Sequence, residues 1–337
     1  MKTKLLGHTG LKVSDLCLGT MTFGRDTEES EAAKIMDRFF DLGGNFFDTA
    51  NIYNSGKSEE ILGNWIAGRD RESLVIATKV RFPVSENPNS AGLTRKHILW
   101  SVEQSLSRLK TPYIDILQVH AWDPLTPLEE TMSTLDSLVR SGKVRYIGAS
   151  NFRAWQLALS LAVSRSHGWE EFVSLQPQYN LLTRATEYEL MPLCEHERIA
   201  VLPWSPLKGG LLSGKYDFGG SIPENTRYSN LIRRGGTPPW VTNEEYYRQV
   251  ISELKNVASR NGKTPSQVAL NWLMLQKAVT SPIIGVRNMQ QLEEDIGAIG
   301  WRLSDDDISR LNRISSIYVT YPYDEWSENQ QKAGRLS

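Results

Sequence analysis

Four side chains able to move protons or hold charge sit where apolar runs of this chain end. Asn45-Phe46-Phe47-Asp48-Thr49-Ala50-Asn51-Ile52-Tyr53 delivers a carboxylate and, five residues later, a phenol. Leu74 to Lys79 ends on an ammonium, and Ile114 to His120 ends on an imidazole. An apolar strand that ends in a polar side chain reads as the C-terminal mouth of a parallel barrel strand, the face where such barrels carry their chemistry. A lysine there is poorly solvated unless paired: burial lowers its pKa and a neighbouring carboxylate raises it. Asp48 on the adjacent strand is the expected partner. A phenol has a pKa near ~10, and a cation in hydrogen-bond range stabilises the phenolate. A drop of ~2 units is worth ~2.7 kcal/mol. Tyr53 then protonates a carbonyl oxygen while hydride reaches the carbon, and His120 directs that oxygen by a hydrogen bond. Each residue also has a plainer role. Asp48 and Lys79 can form a structural ion pair, Tyr53 can pack by its ring, and His120 can be a satisfied core histidine.

The elements that must position these groups alternate. Residues 3–15 carry a Gly7 to Gly10 turn between short alternating runs, which predicts a β-hairpin plugging a barrel floor. Leu16 to Gly19 is the first barrel strand, with Thr20 to Gly24 as its loop. Asp26 or Thr27 is placed to cap a helix whose apolar face is Ala32, Ile35, Met36, Phe39 and Phe40. The pattern then predicts a helix near 57–67, one from Thr94 to Lys110, and one through Leu128 and Val139 ended by Gly142. A strand follows at Val144 to Ser150, a helix near 152–166 and a strand at Val173 to Gln178. Next come a helix near 185–197 and a strand at Ile199 to Trp204. Helices near 245–260 and 265–276 precede the eighth strand, Val279 to Ile284. Eight strand–helix units imply an α/β fold of (β/α)8 TIM-barrel type. It is a single domain over 1–337, with the barrel at about 16–300 and a C-terminal helix and tail at 304–337. An open doubly wound sheet is the alternative, but no Rossmann glycine fingerprint is present. Residues 216–244 have no clear period and read as a long loop. That loop and the tail, with Tyr318, Tyr321, Tyr323 and Trp326, are expected over the mouth.

Bulk properties narrow the function. The 337 residues carry 38 Lys and Arg against 39 Asp and Glu, a formal charge of −1. No basic field calls for nucleic acid or an acidic membrane. No run of about 18 apolar residues predicts a membrane span, and the N-terminus lacks the apolar centre of a signal peptide. Cys17 and Cys194, both in apolar surroundings, read as buried free thiols. The expectation is a cytoplasmic globular protein. The five histidines are scattered and no metal-ligand spacing occurs, so no metal is expected.

The contexts Phe-Asp-Thr-Ala-x-x-Tyr, Ala-Thr-Lys and Gln-Val-His resemble the catalytic tetrad of the aldo-keto reductase superfamily. The likeness runs from Leu5 to about Ile314. The resemblance makes Tyr53 the proton donor, Lys79 the group that lowers its pKa, Asp48 the holder of Lys79, and His120 the residue orienting the carbonyl. It also implies a nicotinamide cofactor bound without a Rossmann domain. Gly19, Thr20, Met21 and Asp48 belong to that cofactor site, and Ser150, Asn151 and Gln176 hold the nicotinamide carboxamide. Trp204 stacks on the ring, where the family often has Tyr. The stretch from Trp204 to Tyr216 resembles a pyrophosphate-clasping loop, with Ser205, Leu207, Gly209, Leu211 and Lys215. Gly285 and Arg287 open a helix capped by Asn288. There Arg287 meets the adenosine 2′-phosphate, which favours NADP(H), with NAD(H) possible. Gln291 and Glu294 match the adenosine contacts, and Asp295 stands where the family often has Asn.

Gly209 to Lys215 nearly spells a phosphate loop, but Tyr216 replaces its Ser or Thr and no strand-to-helix context fits, so an NTPase is rejected. Three readings remain. The first is an NADPH-dependent reductase of aldehydes or ketones, reversible as an alcohol or sugar dehydrogenase. The second is a cofactor-binding regulatory subunit of the potassium-channel β type. The third is a barrel hydrolase with paired carboxylates. Met21, Phe23, Phe82, Trp122 and Trp326 are candidate pocket walls for a small carbonyl or sugar. Neither the substrate nor the oligomeric state is written in the sequence.

Overall fold

Thr3–Leu5 (β1) and Lys12–Ser14 (β2) pair antiparallel, with Lys4 opposite Val13. This is the first element of a computed structural model that describes residues 1–216, 222–224 and 226–333. The hairpin closes the barrel floor. Gly7 has φ +58, and a Cβ there would lie 2.6 Å from Val173 O and 2.8 Å from Arg198 O, so the turn presses on the lower strand ends. Leu6 and Val13 are fully buried in one cluster with Cys17, Phe46, Val75 and Ile116.

The barrel strands are Cys17–Gly19 (β3), Phe46–Asp48 (β4), Val75–Val80 (β5), Ile114–Val119 (β6), Val144–Ser150 (β7), Phe172–Gln176 (β8), Ala200–Val201 (β9) and Ile283–Gly285 (β10). They lie in the order β10-β3-β4-β5-β6-β7-β8-β9, every neighbouring pair parallel. The sheet closes between β9 and the run into β10: Val201 N donates to Ala278 O, Thr280 N to Val201 O and Ile283 N to Pro203 O. β9 and β10 are shorter than the runs expected at 199–204 and 279–284. Pro203 and Pro282 fall inside those runs and have no N–H for the ladder. β5 and β6 are buried at every position, as a sheet covered by helices requires. The outer layer is apolar too. Phe47 meets Phe39 of helix Glu29–Asp41 at 5.5 Å and Trp65 of helix Lys57–Ile66 at 5.0 Å between ring centroids.

Helix starts follow their capping residues where the local chain is free to turn. Thr94 accepts from His97 N, Thr264 forms a capping box with Gln267, and Asn288 accepts from Gln291 N. The first helix differs. Glu28 is its N-cap without a side-chain bond, and Thr27 Oγ1 instead donates to Arg287 O, because the β3 loop packs on the β10 loop. Residues 185–197 divide into a 3₁₀ turn, Ala185–Glu187, and a helix, Leu190–Glu197. The segment expected as a long loop also has structure. A helix Arg227–Arg233, capped by Thr226, is followed by a 3₁₀ turn, Pro239–Thr242. Tyr216, Tyr228 and Trp240 form one ring cluster that holds it. The loop's residues 217–221 and 225, and the tail's 334–337, lie outside the described residues. The described tail ends in a helix, Glu325–Lys332, and is tied to Tyr188, which donates to Tyr318 O, and to Glu189, which accepts from Tyr323 at 2.6 Å. Among the described residues no helix is long and apolar enough to cross a membrane.

Candidate active site

Parallel pairing ends β4, β5 and β6 at one face, so the three strand-borne groups meet. Lys79 is fully buried, and its Nζ donates to Asp48 Oδ2 at 2.5 Å, Thr49 O at 2.8 Å and Tyr53 Oη at 3.1 Å. An ammonium has three protons, and each has one acceptor here. Asp48 Oδ1 accepts from Gln118 Nε2 at 3.1 Å and Gln176 Nε2 at 2.8 Å. The carboxylate is therefore held from both oxygens. Tyr53 opens a 3₁₀ turn whose next three residues are all left-handed: Asn54 (φ 50), Ser55 (φ 55) and Gly56 (φ 90). Such φ values cost a non-glycine residue about 1–2 kcal/mol. Asn54 Nδ2 offsets part of that by donating to Met21 O at 3.1 Å and Phe23 O at 2.6 Å. The turn swings Tyr53 back over the strand that carries Asp48.

His120 follows β6, its N donating to Val80 O at 3.0 Å. Its ring lies edge-on to Phe82 at 4.6 Å and to Tyr53 at 5.8 Å. Its Nδ1 is buried with no partner among the described residues. Burial, then the charges of Lys79 and Arg81, push its pKa down to about 2. The imidazole is therefore neutral across the physiological range. Burial pulls the Lys79 pKa down, but Asp48 and Tyr53 together leave it above its ordinary value. Tyr53 departs from expectation. Burial raises its pKa, Asp48 adds to that, and the opposing charge and hydrogen bond of Lys79 do not cancel the rise. The phenol is therefore protonated at neutral pH, and the Lys79 ammonium donates to its oxygen.

Residues assigned to the cofactor by resemblance form two groups. At the mouth, Ser150 Oγ donates to Gln176 O at 2.8 Å, and Asn151 Nδ2 donates to Ser150 Oγ at 3.1 Å and His120 O at 2.9 Å. Trp204 Nε1 donates to Asn151 Oδ1 at 3.1 Å, which fixes the indole beside them. Thr20 joins through its Oγ1, 3.1 Å from Asp48 O. Met21 is partly exposed. A Cβ on Gly19 would lie 2.8 Å from Ile283, so strand packing demands that glycine. The second group lies on the 205–215 loop and helix Met289–Ile296. Ser205, Lys208, Gly209, Gly210 and Gly214 all have positive φ, and Lys208 N, Gly210 N and Gly214 N close the loop on Ser205 O, Leu207 O and Leu211 O. Leu211 is buried and Leu207 half-buried, so both anchor the loop in the core. Burial first, then Arg287, lowers the Lys215 pKa, and Glu294 opposes this. The structure thus gathers Lys215, Arg287 and Glu294 near Gly285. Two cations held close at an accessible surface suit an anion such as phosphate. Gln291 Oε1 accepts from Arg287 N at 2.9 Å. Asp295 is buried, and burial with the Glu294 charge pushes its carboxyl up to about 8. At neutral pH it is mainly protonated and offers an O–H donor, as the amide of an asparagine would offer N–H.

The expected pocket walls separate. Phe82 lies at the site through His120. Trp122 faces Phe152 and Trp155. Phe23 is fully buried, packed into the main apolar core, and walls no open pocket. Trp326 is 65% exposed on the last helix. Two further residues contact this set without being expected from the sequence: Gln118 at Asp48 and Thr49 O at Lys79. Alternation puts Gln118 on the inward face two residues before His120, whereas Thr49 contributes a backbone carbonyl, which no residue type announces.

The chain matches the model of the Aldo/keto reductase family over residues 15–316. It belongs to that family. It is similar to an uncharacterized oxidoreductase, YrpG, of Bacillus subtilis (strain 168), 39% identical over 93% of this chain and 96% of that one. It is 36% identical to norsolorinic acid reductase stcV of Emericella nidulans over 97% of this chain and 84% of the relative. It is 32% identical to versiconal hemiacetal acetate reductase of Aspergillus parasiticus over 92% and 96%. The protein is an oxidoreductase of the NAD(P)H-dependent reductase kind.

Proposed function

We propose that this protein reduces an aldehyde or ketone to the alcohol, with NADPH preferred and Tyr53 as the proton donor. The observation that carries the proposal is the buried ammonium of Lys79, bonded at once to Asp48, Thr49 O and Tyr53 Oη. When bound, the reduced dinucleotide supplies the hydride. Tyr53 gives its phenol proton to the carbonyl oxygen. Lys79, 3.1 Å away, stabilises the tyrosinate left behind. Asp48 keeps Lys79 charged and in place. His120, neutral at working pH, donates a hydrogen bond to the same oxygen and sets its direction. Run in reverse, the same groups take a proton from an alcohol. Ser150, Asn151 and Gln176 would hold the carboxamide end of the cofactor, Trp204 its ring, and Lys215 with Arg287 its phosphates. Aromatic side chains at the mouth favour carbonyl compounds with flat or apolar substituents.

The test is dinucleotide oxidation followed by absorbance across a panel of aldehydes, ketones and sugars, with NADPH and NADH compared. Tyr53→Phe should lower turnover about 10²–10⁴-fold, the worth of general acid catalysis, and leave dinucleotide binding unchanged. Full activity in Tyr53→Phe would sink the proposal.

A further inference from the structure

We propose that Gln118 is a positioning residue for carbonyl reduction, acting through Asp48 on the Lys79–Tyr53 pair. The inference rests on the reductase reading above. Lys79, Gln118, Gly148 and Ser174 stand in one register row across β5, β6, β7 and β8. Gln118 is fully buried in that row, so its carboxamide has no solvent to turn to. Its Nε2 donates to Asp48 Oδ1 at 3.1 Å, and its Oε1 is buried without a partner among the described residues. A buried carboxamide that leaves its acceptor unsatisfied while donating to a carboxylate is held for that one bond, since burying a polar atom unpaired is costly. The reversed amide would set oxygen against carboxylate, so only this orientation is stable.

Gly148 makes room for the arrangement. A Cβ there would lie 3.3 Å from Gln118 Cγ and 2.4 Å from Ser174 Oγ. The glycine lets Gln118 keep the path that carries its amide to Asp48. Gln118 and Gln176 together give Asp48 Oδ1 two neutral donors, which leaves Oδ2 directed at Lys79. Neither donor adds a charge that would compete for the ammonium. Without Gln118, Asp48 is less stabilised as an anion and draws the Lys79 proton toward itself. The hydrogen bond from Lys79 to Tyr53 then weakens, and the phenol becomes harder to ionise.

The experiment compares wild type, Gln118→Met, Gln118→Glu and a control, Ser174→Ala, each purified as the full chain. Gln118→Met keeps the shape and removes the donor. Its kcat should fall about tenfold, the worth of one bond to a charged group. KM and the dinucleotide Kd should stay unchanged. Tyr53 ionisation is read in the free protein as tyrosinate absorbance, each protein against its own Tyr53→Phe counterpart. A tenfold loss in rate equals one unit of pKa, so the midpoint should rise by about one to two pH units in Gln118→Met. In Gln118→Glu the new carboxyl can donate to Asp48 only when protonated. Its kcat should therefore recover toward wild type as pH falls, which a merely structural defect would not do. Ser174→Ala should leave both readouts unmoved. A Gln118→Met enzyme with kcat within twofold of wild type and an unmoved Tyr53 midpoint overturns the proposal. So does a Gln118→Glu profile parallel to wild type. If wild type reduces no carbonyl compound, the reductase reading fails separately, and the tyrosinate titration still decides whether Gln118 acts on Tyr53.

Discussion

Lys79→Met separates a catalytic ammonium from a structural ion pair. Lys79 is fully buried and Asp48 is 3% exposed. Removing one member of a buried pair strands the other charge and costs about 3–5 kcal/mol. At about 2.1 cal/mol/K of unfolding entropy per residue, a chain of this length should lose roughly 4–7 °C in Tm. The double variant, Asp48→Asn with Lys79→Met, strands no charge and should regain most of that loss. Its activity should not return. With an effective dielectric constant of about 20, a unit charge 3.1 Å from Tyr53 Oη stabilises a full phenolate by about 5 kcal/mol. A half-formed phenolate in the transition state gains about half as much, or about 10² in rate. The assays are calorimetric Tm and single-turnover reduction with saturating dinucleotide. A double variant retaining more than a tenth of wild-type turnover would show that the ammonium serves only as an ion-pair partner. An unchanged Tm in Lys79→Met would refute the burial argument itself.

Two further outcomes follow from the charges around the site. His120 is held near a pKa of about 2 against an ordinary 6.5, so the unfolded chain binds a proton below pH 6.5 that the folded chain does not. Stability is therefore lost as pH falls below 6.5, by about 1.4 kcal/mol per unit and about 2 kcal/mol by pH 5. His120→Gln should lack this part of the slope in a Tm-against-pH series, and a slope equal to wild type would contradict the assignment. Arg287→Ala should weaken NADPH binding about 10–100-fold, the range for charge-assisted bonds, with little change for NADH. Fluorescence titration with both cofactors checks this, and equal losses would remove Arg287 from the 2′-phosphate.

Much of the architecture was legible because burial imposes pattern. A strand covered on both faces is mostly apolar, so Asp48, Lys79 and His120 stand out at the ends of their runs. Helix limits followed where Thr94, Thr264 and Asn288 had unobstructed backbone to cap. At Thr27 the prediction failed, because its hydroxyl is taken by Arg287 O, a residue 260 positions away. The described part of 216–244 has no long helical period in the sequence because three rings, Tyr216, Tyr228 and Trp240, meet in space to hold it.

The site divides along the same line. Residue type and strand position determined which groups reach the barrel mouth. Only the tertiary structure decided their states. The direction of the Tyr53 shift depends on how far burial outweighs a cation 3.1 Å away, and that balance belongs to the packed site. The three acceptors of Lys79 include a backbone carbonyl, and the second donor to Asp48, Gln176, comes from a strand 128 residues on. Local sequence encodes which side chain faces inward. The energy of a charge depends on everything within a few ångströms of it, and in a closed barrel those neighbours come from strands distant in the chain.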